Sequence, residues 1–306
     1  MSINQLKKKI SQYFDKIDLN KSLIIIAGPT GIGKSKFAVK LAKEINGIII
    51  NSDSIQVYQN LKIISSQPTL DEMKGIKHFL YGFKDISENF SVGSWLELVS
   101  KVLKYKEVRN KIPILVGGTG LYLNAVNNGI APIPKIDEKT KINTINLFHK
   151  IGLSKFREKV KSIDPVFFAK NNDKQRLIRA YNVFQSTGKN LSQWHQSKPK
   201  KLIKRKTYSI LLSAEKSKIY NICDNRFDRF IKEGGLDEVR KIWEQNINRS
   251  LTGVKALGVR WLLEFYDGKI SLNNAIDLSK RDTRRYVKRQ NTWFKNNFEK
   301  NIKIEL

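Results

Sequence analysis

The sequence predicts an α/β protein: a parallel sheet covered by helices, interrupted by an all-helical insertion. Three observations support this prediction. A glycine-rich loop directly follows an apolar run, strand and helix signals alternate over residues 22–130, and helical signals without a strand fill residues 139–200. Parallel strands need crossover connections, so strands that alternate with helices favour a parallel sheet.

The glycine-rich loop is the first element that indicates a function. It reads Gly28-Pro29-Thr30-Gly31-Ile32-Gly33-Lys34-Ser35, matches G-x-x-x-x-G-K-[ST], and follows the predicted strand Leu23–Ala27. Its glycines let successive backbone N–H groups point at one phosphate. Lys34 can reach outer phosphate oxygens, and the Ser35 hydroxyl can hold Mg²⁺. The helix predicted at Lys34–Ile45 adds its positive dipole end. The pattern predicts a P-loop NTPase-like core, since a plain glycine turn leaves Lys34 and Ser35 unexplained.

Apolar runs and periodicity predict the remaining elements of the core. Strands are expected at Gly47–Asn51 and Ile112–Val116, with a helix at Ser94–Val108. The two prolines of Ala131–Pro134 end the alternation of strands and helices. A short strand at Tyr208–Leu212 can return to the sheet.

The chain is therefore expected to form two domains. Residues 1–138 and 201–306 would form the α/β core with C-terminal helices, since residues 216–298 are again helical in pattern. Residues 139–200 would form the helical insertion.

The charge balance indicates a polyanionic partner. The 306-residue chain has 57 Lys and Arg against 28 Asp and Glu, a formal net charge of +29. This exceeds what solubility needs and favours a nucleic acid, although coding bias can inflate lysine. The longest apolar runs are strand-sized and the N-terminus lacks a signal core, so we expect a cytoplasmic protein without a membrane span. A single cysteine, Cys223, excludes an internal disulfide and a cysteine metal cluster.

Two stretches after predicted strands are candidates for a site beside the loop. Ligands of open parallel sheets bind outside the carboxyl ends of strands, so Asp53, which follows Gly47–Asn51, is expected near the loop's phosphate. It could hold Mg²⁺ through water or act as a general base, and the alternative is a helix or turn cap. Thr119 lies among three glycines in Val116–Tyr122, which suggests backbone close to a ligand or a plain turn. Many P-loop ATPases carry a magnesium-binding Asp at this strand end, and its replacement by glycine weighs against ordinary ATP hydrolysis.

Two predicted helices carry basic faces that suit a nucleic-acid backbone. In Asp173–Phe184 apolar residues recur at helical spacing, and Gln175, Arg176 and Arg179 lie on the other side. In Arg281–Phe294 five cations share one arc, and these are Arg281, Arg284, Arg285, Lys288 and Arg289. A solvated face is the alternative for both helices. The three histidines are scattered, so no histidine-based metal site is expected.

Taken in order, the motifs resemble those of the tRNA dimethylallyltransferases, the isopentenyl-diphosphate:tRNA transferase family of bacterial type. The matching stretches are Gly28–Ser35, Asp53–Tyr58, Leu115–Tyr122, Gln175–Ala180, Thr187–Lys189, Arg226–Asp228 with Gly235–Val239, and Lys288–Phe294. They extend over nearly the whole chain. No single motif is decisive, but seven in order are specific.

The resemblance implies transfer of a dimethylallyl group from dimethylallyl diphosphate to N6 of adenosine 37, in tRNAs that read codons beginning with U. It implies that Gly28–Ser35 and Arg226 hold the diphosphate, that Ser35 holds Mg²⁺, and that Asp53 and Thr119 are catalytic. The implied tRNA-binding residues are Asp53, Ser54, Ile55, Gln56, Thr119, Gln175, Arg176, Leu177, Ile178 and Arg179. We therefore expect tRNA and dimethylallyl diphosphate as partners of a monomer.

The sequence departs from the family pattern at three points. Gln67 stands where a lysine is usual, so one phosphate-side cation is expected to be missing. Lys77-His78 replaces paired histidines, and Val259 replaces a tyrosine. Two other functions remain open at this stage: a P-loop kinase of nucleotides or small molecules, and a non-catalytic P-loop RNA-binding protein.

Overall fold

Six parallel strands form one sheet within residues 2–14 and 21–306, which are those that the computed structural model describes. Residue 1 and residues 15–20, part of the polar N-terminal stretch, lie outside the described residues. The strands are β1 (Ser22–Ala27), β2 (Gly47–Asn51), β3 (His78–Phe79), β4 (Ile112–Gly117), β5 (Lys206–Ser213) and β6 (Ile302–Glu305). Their order across the sheet is β3-β2-β4-β1-β5-β6, and every neighbouring pair is parallel. The predicted α/β class is confirmed.

The chain divides into two compact units, Met1–Asn127 with Leu202–Leu306, and Asn128–Lys201. The first unit holds the sheet and the helices α1 (Ile3–Phe14), α2 (Lys34–Glu44), α3 (Leu70–Met73), α4 (Val92–Val102), nearly all of α5 (Gly120–Asn128), α10 (Lys216–Phe230), α11 (Leu236–Glu244), α12 (Val259–Tyr266) and α13 (Leu272–Asn297). The second unit holds α6 (Glu138–Ile163), α7 (Pro165–Lys170), α8 (Lys174–Thr187) and α9 (Leu191–Gln196).

The central strands of the sheet are mostly apolar and are buried on both faces. All residues of β1, β2 and β4 are buried, as expected for a parallel sheet covered by helices. The second unit has a core of its own, in which Phe156, Val160 and Leu177 pack together. Its longest helix, α6, is broken at Gly152, whose φ of 73° and ψ of 171° are not helical.

Three differences from the predicted elements have local causes. The helix predicted at Ser94–Val108 is shorter: Ser91 caps α4, which ends at Val102, and a 3₁₀ turn follows at Lys106–Val108. The edge strands β3 and β6 are too short to give a periodic signal. Helix α1 lies in a polar stretch, where it buries only the i, i+4, i+8 series Leu6, Ile10 and Phe14.

The topology brings three connections together at one edge of the sheet. Strands β2, β4 and β1 are neighbours and run in one direction, so their carboxyl ends lie side by side. The segments that follow them begin at Ser52, Gly118 and Gly28. This edge is where a ligand of an open parallel sheet is expected. Among the helices of the described part of the chain, none is long and apolar enough to cross a membrane.

Candidate active site

The phosphate-binding loop connects β1 with α2 and contains residues in the left-handed conformation. Gly31 and Gly33 have φ angles of 82° and 86°, which L side chains rarely adopt. A Cβ on Gly31 would also lie 2.6 Å from the Sγ of Cys223, so that only glycine fits. Gly33 is the N-cap of α2 and its residue type offers no capping side chain, which leaves the helix N-terminus open to an anion.

Lys34 reaches back across the loop from the first turn of α2. Its Nζ donates to the carbonyl oxygens of Gly28 (2.9 Å) and Pro29 (2.8 Å). Burial lowers the pKa of Lys34 from 10.5 to about 8, while the nearby charge of Asp53 acts in the opposite direction. A bound diphosphate would stabilise the charged form of Lys34, because opposite charges favour ionisation.

Asp53 lies in a turn that closes on itself directly after β2. Its Oδ1 accepts the Ile55 N–H (2.9 Å), and the Asn51 Oδ1 accepts the Asp53 N–H (2.8 Å). Buried Asn51 also donates to the carbonyls of Asp53 (3.0 Å) and Leu80 (2.9 Å). The Asp53 carboxylate therefore caps its own turn, which was the alternative interpretation of this residue. The same hydrogen bond holds the carboxylate in one orientation at the edge of the sheet.

The charge of Asp53 affects groups from several distant segments. It acts on Lys34 and Arg226, and burial together with this charge raises the pKa of three phenols, those of Tyr81, Tyr122 and Tyr286. These tyrosines are therefore neutral near pH 7. The titratable groups on which the Asp53 charge acts are therefore two cations and three neutral phenols.

Thr119 joins the turn after β4 to the Asp53 segment. Its Oγ1 accepts the Ser54 N–H (3.0 Å) and donates to the Ser54 Oγ (3.3 Å). The turn approaches closely because Gly117 has no side chain: a Cβ there would lie 2.3 Å from the Ser52 carbonyl oxygen. The structure thus brings Thr119 into contact with Ser54. The sequence indicated only that both residues follow strands of the predicted sheet.

A cavity of about 330 Å³ opens beside these groups and is lined by both polar and apolar residues. Thr30, Asp53 and Arg226 contribute polar groups. Ile64, Phe227, Phe230, Ala256 and Leu257 contribute apolar surface. A ligand with an anionic head and a short apolar tail matches this mixed lining.

Arg226 is one of the polar residues that line the cavity. Its Nη2 donates to the Thr30 Oγ1 (2.8 Å), and its Nε, which is buried, has no hydrogen-bond partner among the described residues. Burial lowers the pKa of Arg226, and the charge of Asp53 raises it. An unpartnered buried guanidinium N–H is costly, which fits an anion at this position.

Several cavity residues were not predicted as site residues. Cys223, Phe227 and Phe230 share one face of α10 with Arg226, and this i, i+3, i+4, i+7 spacing is the signal that could have identified them. Ile64 is positioned indirectly: the carboxylate of Glu238 accepts the N–H groups of Ile63 (2.8 Å) and Ile64 (3.0 Å). No periodic signal in the sequence marks that contact.

The predicted tRNA-binding residues of α8 divide into two sets. Gln175, Arg176 and Arg179 are exposed, whereas Ile178 is half-buried. Leu177 is fully buried in the core of the helical unit, which corrects the expectation of a tRNA contact for its side chain. Its place in the i, i+4, i+7 apolar face explains the burial.

Two glutamines that the sequence analysis singled out in the first unit make internal hydrogen bonds. The Gln56 Nε2 donates to the carbonyls of Ser65 (2.9 Å) and Ser66 (2.8 Å) and so supports the next loop. The Gln67 Nε2 donates to the Tyr58 carbonyl (2.7 Å). The residue that replaces the usual lysine is thus engaged with the backbone of its own loop.

The basic arc of α13 combines ion pairs with exposed surface. Arg284 pairs with Asp224 (2.6 Å), and Arg285 pairs with Asp282 (3.5 Å). Arg285 and Arg289 are exposed and line a second cavity of about 540 Å³, together with Arg260. Arg289 also lines the first cavity, so the two cavities share a wall.

Ser35 is the residue that the sequence assigns to Mg²⁺. No cluster of three or more His, Cys, Asp or Glu side chains suited to a metal occurs in the described ranges. The Ser35 hydroxyl lies in the first turn of α2, half-buried, beside the loop that would hold a diphosphate. A hydroxyl with phosphate oxygens and water is a donor set that Mg²⁺ accepts, so the residues fit this ion.

Comparison with known proteins agrees with this geometry. The family model described as IPP transferase matches residues 56–297, which is most of the chain. The chain belongs to the IPP transferase family. The predicted family is thereby confirmed, although the phosphate-binding loop and Asp53 precede the matched range.

Named relatives and solved structures of the IPP transferase family extend the comparison. A tRNA dimethylallyltransferase of Rickettsia conorii is 39% identical over 288 residues, 93% of this chain and 79% of that protein. One of Pelagibacter ubique is 37% identical over 94% of this chain and 93% of its own length. The crystal structure of a tRNA isopentenylpyrophosphate transferase from Bacillus halodurans superimposes with a TM-score of 0.67 at 33% identity, covering 93% of this chain and 90% of that one. A eukaryotic dimethylallyltransferase acting on tRNA gives 0.77 at 26% identity, covering 93% and 74%.

Proposed function

We propose that this chain transfers a dimethylallyl group from dimethylallyl diphosphate to N6 of adenosine 37 in tRNA, with release of diphosphate. The observation that carries the proposal is the cavity beside the phosphate-binding loop, which Thr30, Asp53 and Arg226 line together with apolar residues. Family membership and the names of the relatives support the same reaction.

The donor would lie with its diphosphate at the phosphate-binding loop. The N-terminus of α2, the Lys34 ammonium and the Arg226 guanidinium supply positive charge there. The five-carbon tail would contact the apolar lining residues Ile64, Phe227 and Phe230. Burial of the tail there would exclude water from a carbon that is prone to hydrolysis.

In the proposed reaction, the adenine N6 attacks C1 of the donor. The new N–C bond forms, the bond between C1 and the diphosphate oxygen breaks, and Asp53 accepts the proton that N6 loses. An exocyclic amine is a poor nucleophile, so removal of its proton in the transition state lowers the barrier. The leaving diphosphate gains charge, which the loop N–H groups, Lys34 and Arg226 stabilise. Thr119, whose side chain is held by hydrogen bonds to Ser54, would help to position the acceptor base.

The Ser35 hydroxyl would hold Mg²⁺ together with oxygens of the diphosphate. When bound, this ion neutralises charge on the leaving group. The rest of the proposed mechanism depends on the protein's own cations.

The tRNA would be bound by its anticodon stem-loop, through exposed cations of α8 and α13. Adenosine 37 must leave the base stack to reach a buried donor, and contacts with the loop would offset this cost. By resemblance, the substrates are tRNAs that read codons beginning with U. Because the proposed substrate is tRNA, we expect the enzyme to act in the cytoplasm, and we expect it to act as a monomer.

The proposal is tested with purified protein, labelled dimethylallyl diphosphate and an anticodon stem-loop containing adenosine 37. We expect label on that nucleoside, as measured by mass spectrometry after digestion, and none on a matched stem-loop with guanosine 37. Absence of transfer to every adenosine-37 substrate would refute the proposal. Phosphorylation of a nucleoside by ATP would instead favour a kinase.

A further inference from the structure

Gln290, a buried residue of α13, connects two loops of the candidate site. Its Oε1 accepts the backbone N–H of Thr30 in the phosphate-binding loop (2.9 Å). Its Nε2 donates to the backbone carbonyl of Gly118 in the turn after β4 (3.0 Å). The two ends of one amide thus hold two segments that lie far apart in the chain.

The surroundings of this amide are closely packed. A Cβ on Gly118 would lie 2.5 Å from the Gln290 Nε2, so the glycine leaves the space that the amide uses. The same position is 3.3 Å from the Gly28 carbonyl oxygen and 3.6 Å from the Lys34 Nζ. The contact therefore lies directly beside the group that would hold the diphosphate.

Both neighbours of the Gln290 amide also contact cavity groups. Thr30 accepts a hydrogen bond from Arg226 through its hydroxyl (2.8 Å), and both residues line the cavity. On the other side, Gly118 directly precedes Thr119, which is bonded to Ser54. Gln290 thus links the donor side of the site with the acceptor side.

We propose that Gln290 is a positioning residue for prenyl transfer, which fixes the phosphate-binding loop relative to the Thr119 turn. The inference rests on the proposed function. Displacement at C1 needs the attacking nitrogen and the leaving oxygen to be in line, and these are set by the two segments that Gln290 joins. Small errors in such alignment cost rate rather than affinity.

The alternative is that Gln290 only satisfies buried backbone groups and so stabilises the fold. Gln290→Met separates the two roles, because methionine keeps the length and apolar volume of the side chain but loses both hydrogen bonds. Gln290→Asn keeps an amide on a side chain that is too short to reach both loops. This variant replaces Gln290→Met in the test if the methionine variant does not fold. Asn297→Ala is the matched control: it removes an exposed amide of the same helix, which among the described residues donates only to the Trp293 carbonyl (3.2 Å).

The experiment is a single-turnover transfer assay at saturating dimethylallyl diphosphate and stem-loop, corrected for the active fraction from donor-binding stoichiometry. We expect Gln290→Met to react roughly 10- to 100-fold more slowly, with a stem-loop Kd within about 2-fold of the native chain. Asn297→Ala should react at the native rate. A native corrected rate in the methionine variant, or a loss confined to Kd, would overturn the inference. Inactivity of the native chain would instead refute the proposed function, so the two failures are distinct.

Discussion

At the scale of single residues, the candidate site depends on the state of two charged groups. Asp53 has one oxygen committed to the Ile55 N–H, so its orientation is fixed before any substrate binds. The Lys34 ammonium is held by two carbonyls of its own loop. Each side chain therefore makes hydrogen bonds within the protein. A substitution can keep those hydrogen bonds while it changes the titratable group.

Asp53→Asn is expected to abolish most of the transfer while the fold is kept. The amide oxygen can still accept the Ile55 N–H, but the side chain no longer takes up a proton. We expect kcat to fall about 10²- to 10⁴-fold, with the Kd for the stem-loop nearly unchanged. Asp71→Asn is the control, because that carboxylate is exposed and its ion pair within the described part of the chain is with Lys74. Near-normal turnover in the Asp53 variant would remove its assignment as the base.

The reaction should lose efficiency as the pH rises through about 8. Burial lowers the pKa of Lys34 from 10.5 to about 8, so the ligand-free enzyme carries the cation below that pH and loses it above. Because the charge is needed for the diphosphate, kcat/KM for the donor should fall up to ~10-fold per pH unit above 8. Lys34→Arg, whose charge does not titrate in this range, should flatten the profile between pH 7 and about 9.5. A flat profile for the native chain would contradict the assignment.

At the scale of elements, α10 forms one wall of the cavity from a single helical face. Arg226 supplies a polar group, and Phe230, one turn on, supplies an apolar ring, with the guanidinium 5.4 Å from the ring centre. In the proposed function, this helix would both hold the anion and contact the apolar tail.

Phe230→Leu is expected to widen the range of donors. Loss of the ring enlarges the cavity, so the ratio of kcat/KM for ten-carbon geranyl diphosphate to that for dimethylallyl diphosphate should rise about 10-fold. Phe298→Leu is a matched control, since both phenylalanines are 5% exposed and Phe298 does not line the cavity. Equal ratios in the two variants would show that Phe230 does not limit chain length.

At the scale of the whole molecule, the net charge of +29 is spread over both compact units. Exposed cations of α8 belong to the helical unit, and those of α13 belong to the unit with the sheet. We infer that tRNA affinity is distributed over both units, whereas the donor depends on the unit with the sheet alone.

Arg179→Ala in the helical unit should therefore weaken tRNA binding without changing the KM for dimethylallyl diphosphate. Loss of one phosphate contact should raise the Kd severalfold and reduce the slope of log K against log salt by about 0.7 to 0.9. Lys155→Ala, which removes an exposed cation from α6, is the control. An unchanged salt slope for Arg179→Ala would place this arginine outside the RNA contact.

The sequence by itself determined the fold class, the phosphate-binding loop and the family, because these depend on local order: glycine spacing, apolar runs and the succession of motifs. It could not decide which side chains meet. Leu177 belongs to a motif yet is buried, and Gln290 meets Thr30 only because α13 packs beside the sheet edge. The cavity exists because β2, β4 and β1 end side by side, and because α10 returns over the loop. Such contacts are set by packing between segments distant in the chain, which only the tertiary structure resolves.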